Sequence, residues 1–142
     1  MYNKKQPRKR ILVVDDEKDL TLLVKLNLEK TGRFEVMEEN RASRAIPVAR
    51  EFKPDLILLD VMMPESDGGD VLARLKGEAT LKDVPVIFLT AMVLKDEIGK
   101  KGATIGGRPA LPKPVQTETL LAAIDKALGT PAVPEPTRPI RR

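Results

Sequence analysis

Short apolar runs alternate along this chain with longer stretches whose leucines recur at helical spacing, and few folds accept that order. Ile11-Leu12-Val13-Val14 is apolar at every position, as a strand buried on both faces must be, and it stops at Asp15-Asp16. Lys18 to Lys30 carries Leu20, Leu23, Val24, Leu26 and Leu28 at mostly helical spacing, with Gly32 past its end. Phe34-Glu35-Val36-Met37 alternates as a second strand. Asn40 is a good N-cap, so a second helix is predicted from there to about Phe52, with Pro47 imposing a kink or a late start. Pro54-Asp55 introduces Leu56-Ile57-Leu58-Leu59, the clearest buried strand of the chain, which ends in Asp60. Met63 to Gly69 reads as a loop, Asp70 to Lys76 as a helix, and Val84 to Thr90 as a fourth strand with proline near its start. A short helix over Val93 to Lys101 and a short fifth strand within Ala103 to Leu111 follow. A last helix runs from Thr117, its expected N-cap, to Leu128, with Glu118 near its positive end. Strands alternating with helices imply right-handed crossovers, so the predicted fold is α/β: five parallel strands and five helices covering both faces of the sheet.

Composition narrows the chemistry. The 142 residues suit one domain. Cysteine and histidine are both absent, which excludes disulfides, thiolate chemistry, imidazole bases and a phosphohistidine carrier. No apolar run approaches the ~18 residues of a membrane span, and the basic N-terminus leads straight into a strand, unlike a secretory signal. A cytoplasmic location is the expectation. The net charge of +4 is unevenly spread: residues 1–10 carry +5 and residues 129–142 carry +2, which leaves −3 on residues 11–128. The reading is a mildly acidic domain between a basic N-terminal tail over 1–8 and a proline-rich basic tail over 129–142, both expected to be disordered.

Parallel sheets bind ligands beyond the carboxyl ends of their strands. Here those ends carry Asp15-Asp16, Asp60, Thr90 and Lys113-Pro114. Taken singly, a cap explains Asp16 or Thr90, and a solvated loop explains Lys113. Taken together, the coincidence points to one site. Three carboxylates held close repel one another and seek a hard cation, and oxygen ligands without histidine or cysteine suit magnesium or manganese. A lysine adds fixed positive charge and a threonine a hydroxyl. Such a site suits a phosphoryl group that a carboxylate attacks in line, leaving an aspartyl phosphate.

These residues resemble the response-regulator receiver domain of two-component signalling. The matching motifs are Val13-Val14-Asp15-Asp16-Glu17, Pro54-Asp55-Leu56-Ile57-Leu58-Leu59-Asp60-Val61-Met62-Met63-Pro64, Asp67-Gly68, Leu89-Thr90-Ala91 and Lys113-Pro114, and the resemblance extends over residues 9–128. It implies a doubly wound, flavodoxin-like sheet in the order 2-1-3-4-5. It implies that Asp60 is the phosphorylated nucleophile, that Asp15, Asp16 and Asp60 hold magnesium with the Met62 backbone carbonyl, and that Thr90 is the switch hydroxyl beside Ala91. Lys113 would pair with the phosphoryl oxygens, and the Lys113–Pro114 bond would be cis. The implied partners are a sensor histidine kinase upstream and an unidentified protein downstream, with the domain a monomer or a weak phosphorylation-dependent dimer.

One departure concerns output. The family often places an aromatic residue three positions before the lysine, where this chain has Ala110, and Gly106-Gly107-Arg108-Pro109 replaces the usual approach to that strand. The activated state is therefore expected to be read through residues 90–101 rather than through a rotating aromatic. The resemblance further implies that Met62 and Met92, two residues beyond Asp60 and Thr90, flank the path of the hydrolytic water. Other readings are a haloacid-dehalogenase-type phosphatase, a pseudo-receiver, a DNA-binding regulator and a receiver fragment of a longer regulator. The first needs a second acid two residues after its nucleophile. The second would lack a site residue. The third needs a DNA-binding domain, for which the 14 residues after Leu128 are too few.

Overall fold

A computed structural model describes residues 7–91, 103–105 and 107–129. Its strands are β1 (Lys9–Val14), β2 (Phe34–Glu39), β3 (Leu56–Asp60), β4 (Val86–Thr90), β5 (Ala103–Ile105) and β6 (Arg108–Pro112). Its helices are α1 (Lys18–Glu29), α2 (Ala45–Phe52), α3 (Gly68–Lys76) and α4 (Thr117–Leu128), with one 3-10 turn at Ala42–Arg44. The helix expected over Val93–Lys101, Met92, and most of both tails lie outside the described residues.

The sheet order is β2-β1-β3-β4-β6-β5. The first five are parallel, as expected for a doubly wound fold. The period-2 alternation of the central strands sorts side chains to two cores. Leu12, Val14, Ile57, Leu59 and Phe88 pack with Ala49 and Phe52 of α2 and Val71 and Leu75 of α3. Ile11, Val13, Leu56, Leu58, Ile87 and Leu89 pack on the other face with Val24 and Leu28 of α1 and Leu120 and Ile124 of α4. Both faces are covered, so the central strands are apolar throughout and polar residues are confined to their ends.

Four sequence expectations need correction. The single fifth strand is a hairpin: β5 runs antiparallel to β6, with Ile105 opposite Arg108. Gly107, next to Arg108, has φ 79°, the left-handed conformation that tight hairpin turns demand. The sheet therefore has six strands, one of them antiparallel. The second helix starts at Ala45 rather than after Asn40, whose side chain is engaged elsewhere. Pro47 becomes the third residue of α2, where a missing N–H costs no intrahelical bond. The third helix starts earlier than Asp70, because the Asp67 carboxylate accepts the Asp70 amide at 2.8 Å and caps it. Thr117 is the first residue of α4 rather than its cap; Gln116 holds the cap position in extended backbone, without a side-chain bond.

Lys53 ends α2 with φ 56° and ψ 63°, a left-handed conformation in which a side chain crowds the backbone. Lys53→Gly relieves that crowding and is expected to stabilise the domain by about 0.5–1 kcal/mol after the entropy cost of glycine. Urea denaturation of the two proteins checks the sign and size.

Candidate functional site

The register of the parallel strands builds the site. Val14 lies beside Leu59, Asp60 beside Leu89, and Thr90 beside Pro112. Asp15, Asp60, Thr90 and Lys113 therefore gather at one carboxyl edge, although they are far apart in sequence. The Lys113 amide donates to the Thr90 carbonyl at 2.8 Å, which ties the end of β4 to the chain beyond β6. The Lys113–Pro114 peptide is cis.

Asp15 is fully buried, and Asp60 and Thr90 are 3% and 4% exposed, whereas Asp16 and Ala91 are exposed. Lys113 Nζ lies 2.8 Å from Asp15 Oδ2, 3.2 Å from Asp60 Oδ1 and 3.1 Å from Glu17 Oε1. Asp15 Oδ1 accepts the Glu17 amide at 2.9 Å, and Asp60 Oδ1 accepts the Met62 amide at a longer 3.3 Å. A cleft of about 990 Å³ opens over this cluster, with Leu20, Leu23 and Met62 on its apolar walls and Asp16, Glu17 and Lys113 on its polar ones.

Burial pushes the Asp60 carboxyl up to about 6, and the Asp15 charge pushes the same way; Lys113 and the Met62 amide oppose them. Burial alone would lower the Lys113 ammonium, but its contacts with Asp15, Glu17 and Asp60 outweigh that and raise it. Lysine is thus held charged, while Asp60 bears the cost of its surroundings. Asp15, Asp16 and Asp60 each offer an oxygen, and these atoms lie within 4.8 Å of one another. An all-oxygen set of this kind, with two members buried and mutually repelling, fits a hard divalent cation.

All the residues singled out by their strand-end positions come to this edge. Two contributors were not assigned a part by sequence reasoning. Glu17 is a third carboxylate on Lys113, and its place next to Asp15-Asp16 is the only hint of it. Gly68 lets α3 abut β3: a Cβ there would stand 2.7 Å from the Asp60 carbonyl oxygen and 2.9 Å from Phe88 Cε1. Its amide donates to the Val61 carbonyl at 2.7 Å. The Asp67-Gly68 pair in the sequence marks this close approach. Ala110 is 3% exposed and packs in the α2–α3 core.

Residues 11–125 match the family described as response regulator receiver domain. The chain is 36% identical over 122 residues to Protein PilH of Pseudomonas aeruginosa, covering 84% of this chain and 98% of PilH. It is also 36% identical over 116 residues to the DNA-binding dual master transcriptional regulator RpaA of Synechocystis, covering 81% of this chain and 47% of RpaA. The chain thus spans about half the length of that regulator, as it does of PhoP of Bacillus subtilis, where the share is 52%. The fold superposes on the Vibrio cholerae chemotaxis protein CheY4 with a TM-score of 0.74 at 26% identity, covering 86% of this chain and 100% of that one.

Two variants probe the cluster. Asp60→Asn removes a penalised charge and is expected to stabilise the metal-free protein by about 1–2 kcal/mol at pH 7.5, the figure being discounted for solvent at the open cleft. The wild-type carboxyl is raised, so it gains a proton as pH falls through about 6, and the penalty goes with the charge. The advantage of Asp60→Asn should therefore shrink between pH 7.5 and pH 5, which thermal melts at both values measure. Gly68→Ala forces apart the α3 terminus and the Asp60 carbonyl and is expected to cost about 1–3 kcal/mol in urea denaturation.

Proposed function

We propose, from the premise that this chain belongs to the response regulator receiver family, that Asp60 accepts a phosphoryl group in a two-component signalling pathway. Receiver domains are phosphoryl-transfer switches rather than classical enzymes, and Asp60 is consumed and regenerated rather than acting on a separate substrate. The observation that carries the assignment is the setting of Asp60. It is a nearly buried carboxylate at the end of β3, and one of its oxygens faces Lys113 Nζ at 3.2 Å beside a second buried carboxylate.

The chemistry follows from that setting. An Asp60 oxygen attacks phosphorus in line, the new O–P bond forms, and the bond to the donor breaks with its electron pair leaving on the donor. The donor enters through the open cleft. Asp60 must be ionised to attack, and Lys113 beside it favours the ionised form against the burial that opposes it. Lys113 shifts its ammonium from the carboxylates toward the incoming phosphoryl oxygens, a short move because it already stands between Asp15 and Asp60. Asp15, Asp16, Asp60 and the Met62 backbone carbonyl would hold magnesium, which would supply the further positive charge that a phosphoryl group requires. Thr90, at the end of β4, offers the hydroxyl that closes on the phosphoryl group, with the Ala91 amide next to it.

The donor is a sensor histidine kinase and the receiver of the signal a downstream protein, with the domain acting in the cytoplasm. No helix among the described residues is long and apolar enough to cross a membrane. Ala110 supplies no aromatic ring, so the change at Thr90 is passed on through residues 90–101, most of which lie outside the described residues.

Incubation with acetyl phosphate and magnesium is expected to add one phosphoryl group to the wild-type chain by intact mass and none to Asp60→Asn. Equal labelling of the variant would sink the assignment. Magnesium is expected to raise the melting temperature of the wild type and not that of Asp16→Ala. Met62 is 61% exposed at the cleft and cannot orient a water, so Met62→Asn or Met62→Glu should shorten the lifetime of the phosphorylated protein several-fold, as followed by the decay of the added mass.

A further inference from the structure

The end of the β1–β2 ladder is not made by backbone. Asp15 donates its amide to the Glu39 carbonyl at 3.1 Å, the last rung between the two strands. Continuation of the parallel pattern would give the Asp15 carbonyl to the amide of Arg41. That amide instead turns to the Glu39 side chain, Oε2, at 3.0 Å. The Asp15 carbonyl is taken by the Asn40 side chain, whose Nδ2 donates to it at 2.8 Å. The second hydrogen of the same amide goes to Thr21 Oγ1 at 3.0 Å. Thr21 is fully buried in α1, and its hydroxyl lies 2.8 Å from Glu38 Oε1 and 3.1 Å from the Lys18 carbonyl. One side-chain amide therefore fastens the end of β1, the first turn of α1 and the end of β2.

We propose that Asn40 is a positioning residue for the acidic site: by replacing the missing rung at the Asp15 carbonyl, it fixes the turn on which Asp15 and Asp16 are carried. The peptide that Asn40 holds is the one joining those two residues. Rotation of that peptide moves the Asp16 carboxylate relative to Asp15 and Asp60, whose oxygens must converge to share a cation. Magnesium tolerates little departure from its preferred geometry, so a loosened turn is read as lost affinity. The part played by magnesium here rests on the reading under "Proposed function"; the fixing of the turn does not.

The test uses the full chain, magnesium chloride alone and two-dimensional amide NMR. Asn40→Asp keeps the shape but sets an oxygen against the Asp15 carbonyl, and Thr21→Val removes the second anchor while preserving volume. Both are expected to weaken magnesium binding by about 10-fold or more, the effect typical of removing a group that orients a metal ligand. Thr21→Ser, which keeps the hydroxyl, should stay within about twofold of wild type on the same scale. Ile124→Ala, in the core beneath α4, controls for stability: it should lower the melting temperature and leave the magnesium affinity alone. Unchanged affinity in Asn40→Asp, or an equal loss in Ile124→Ala, overturns the proposal. If the wild type shows no saturable response that Asp16→Ala removes, the metal reading fails. The proposal is then decided by hydrogen exchange at the Glu17 amide, which is bound to Asp15 Oδ1 in the same turn. Faster exchange there in Asn40→Asp, with Val13 unchanged, supports it, and unchanged exchange overturns it.

Discussion

Two buried carboxylates share one ammonium at the carboxyl edge of the sheet, and much of the molecule is arranged around that arrangement. Like charges ~4 Å apart cost on the order of 4 kcal/mol at the effective dielectric of a protein edge. Lys113, close to both Asp15 and Asp60, offsets that repulsion. The compensation is incomplete. Asp60 is still pushed up to about 6 by burial and by Asp15, while Glu17 adds another carboxylate to the same lysine. An edge left short of positive charge weakens the fold, and for the same reason it favours a cation or any rearrangement that relieves the repulsion.

The scaffold holds most of this cluster through backbone contacts. Strand register brings Asp15 level with Asp60 and Thr90 one residue beyond it, and the Lys113 amide bond to the Thr90 carbonyl keeps the lysine beside them. Gly68 allows α3 to start directly against the Asp60 carbonyl. The two apolar cores on either face supply the rigidity behind these contacts, since close-packed strands cannot slip by one residue without exposing a whole face. The antiparallel β5–β6 hairpin sits on one side of the sheet and Ala110 packs inward without a ring. That edge therefore differs from the site, where the motif residues are all present.

Much of this was legible in the order of residues. Leu56 to Leu59 and Ile11 to Val14 could only be buried strands, because four consecutive apolar residues leave no polar face. The acidic residues directly after them had to stand at the strand ends. Where the reading went astray, a tertiary contact had claimed a residue that local rules assigned elsewhere. Asn40 has the chemistry of a helix cap, but its amide is spent on Asp15 and Thr21, and α2 waits until Ala45. Thr117 has the chemistry of a cap as well, yet the chain turns one residue earlier, at Gln116. The single short strand expected within Ala103 to Leu111 is two strands that pair with each other, because the turn at Gly107 folds the chain back on itself.

By itself, the sequence determined the class of fold, the identity of the acidic, hydroxyl and lysine residues, and the edge they occupy, because hydrophobic periodicity and the placement of polar residues at strand ends are local properties of the chain. Only the tertiary structure decided how those residues divide one ammonium among three carboxylates, which of them is forced toward its neutral form, and how Asn40 closes the ladder beside Asp15. Those outcomes depend on distances between groups as far apart in the chain as Asp15 and Lys113, and on the desolvation that packing imposes on them, neither of which any stretch of sequence contains.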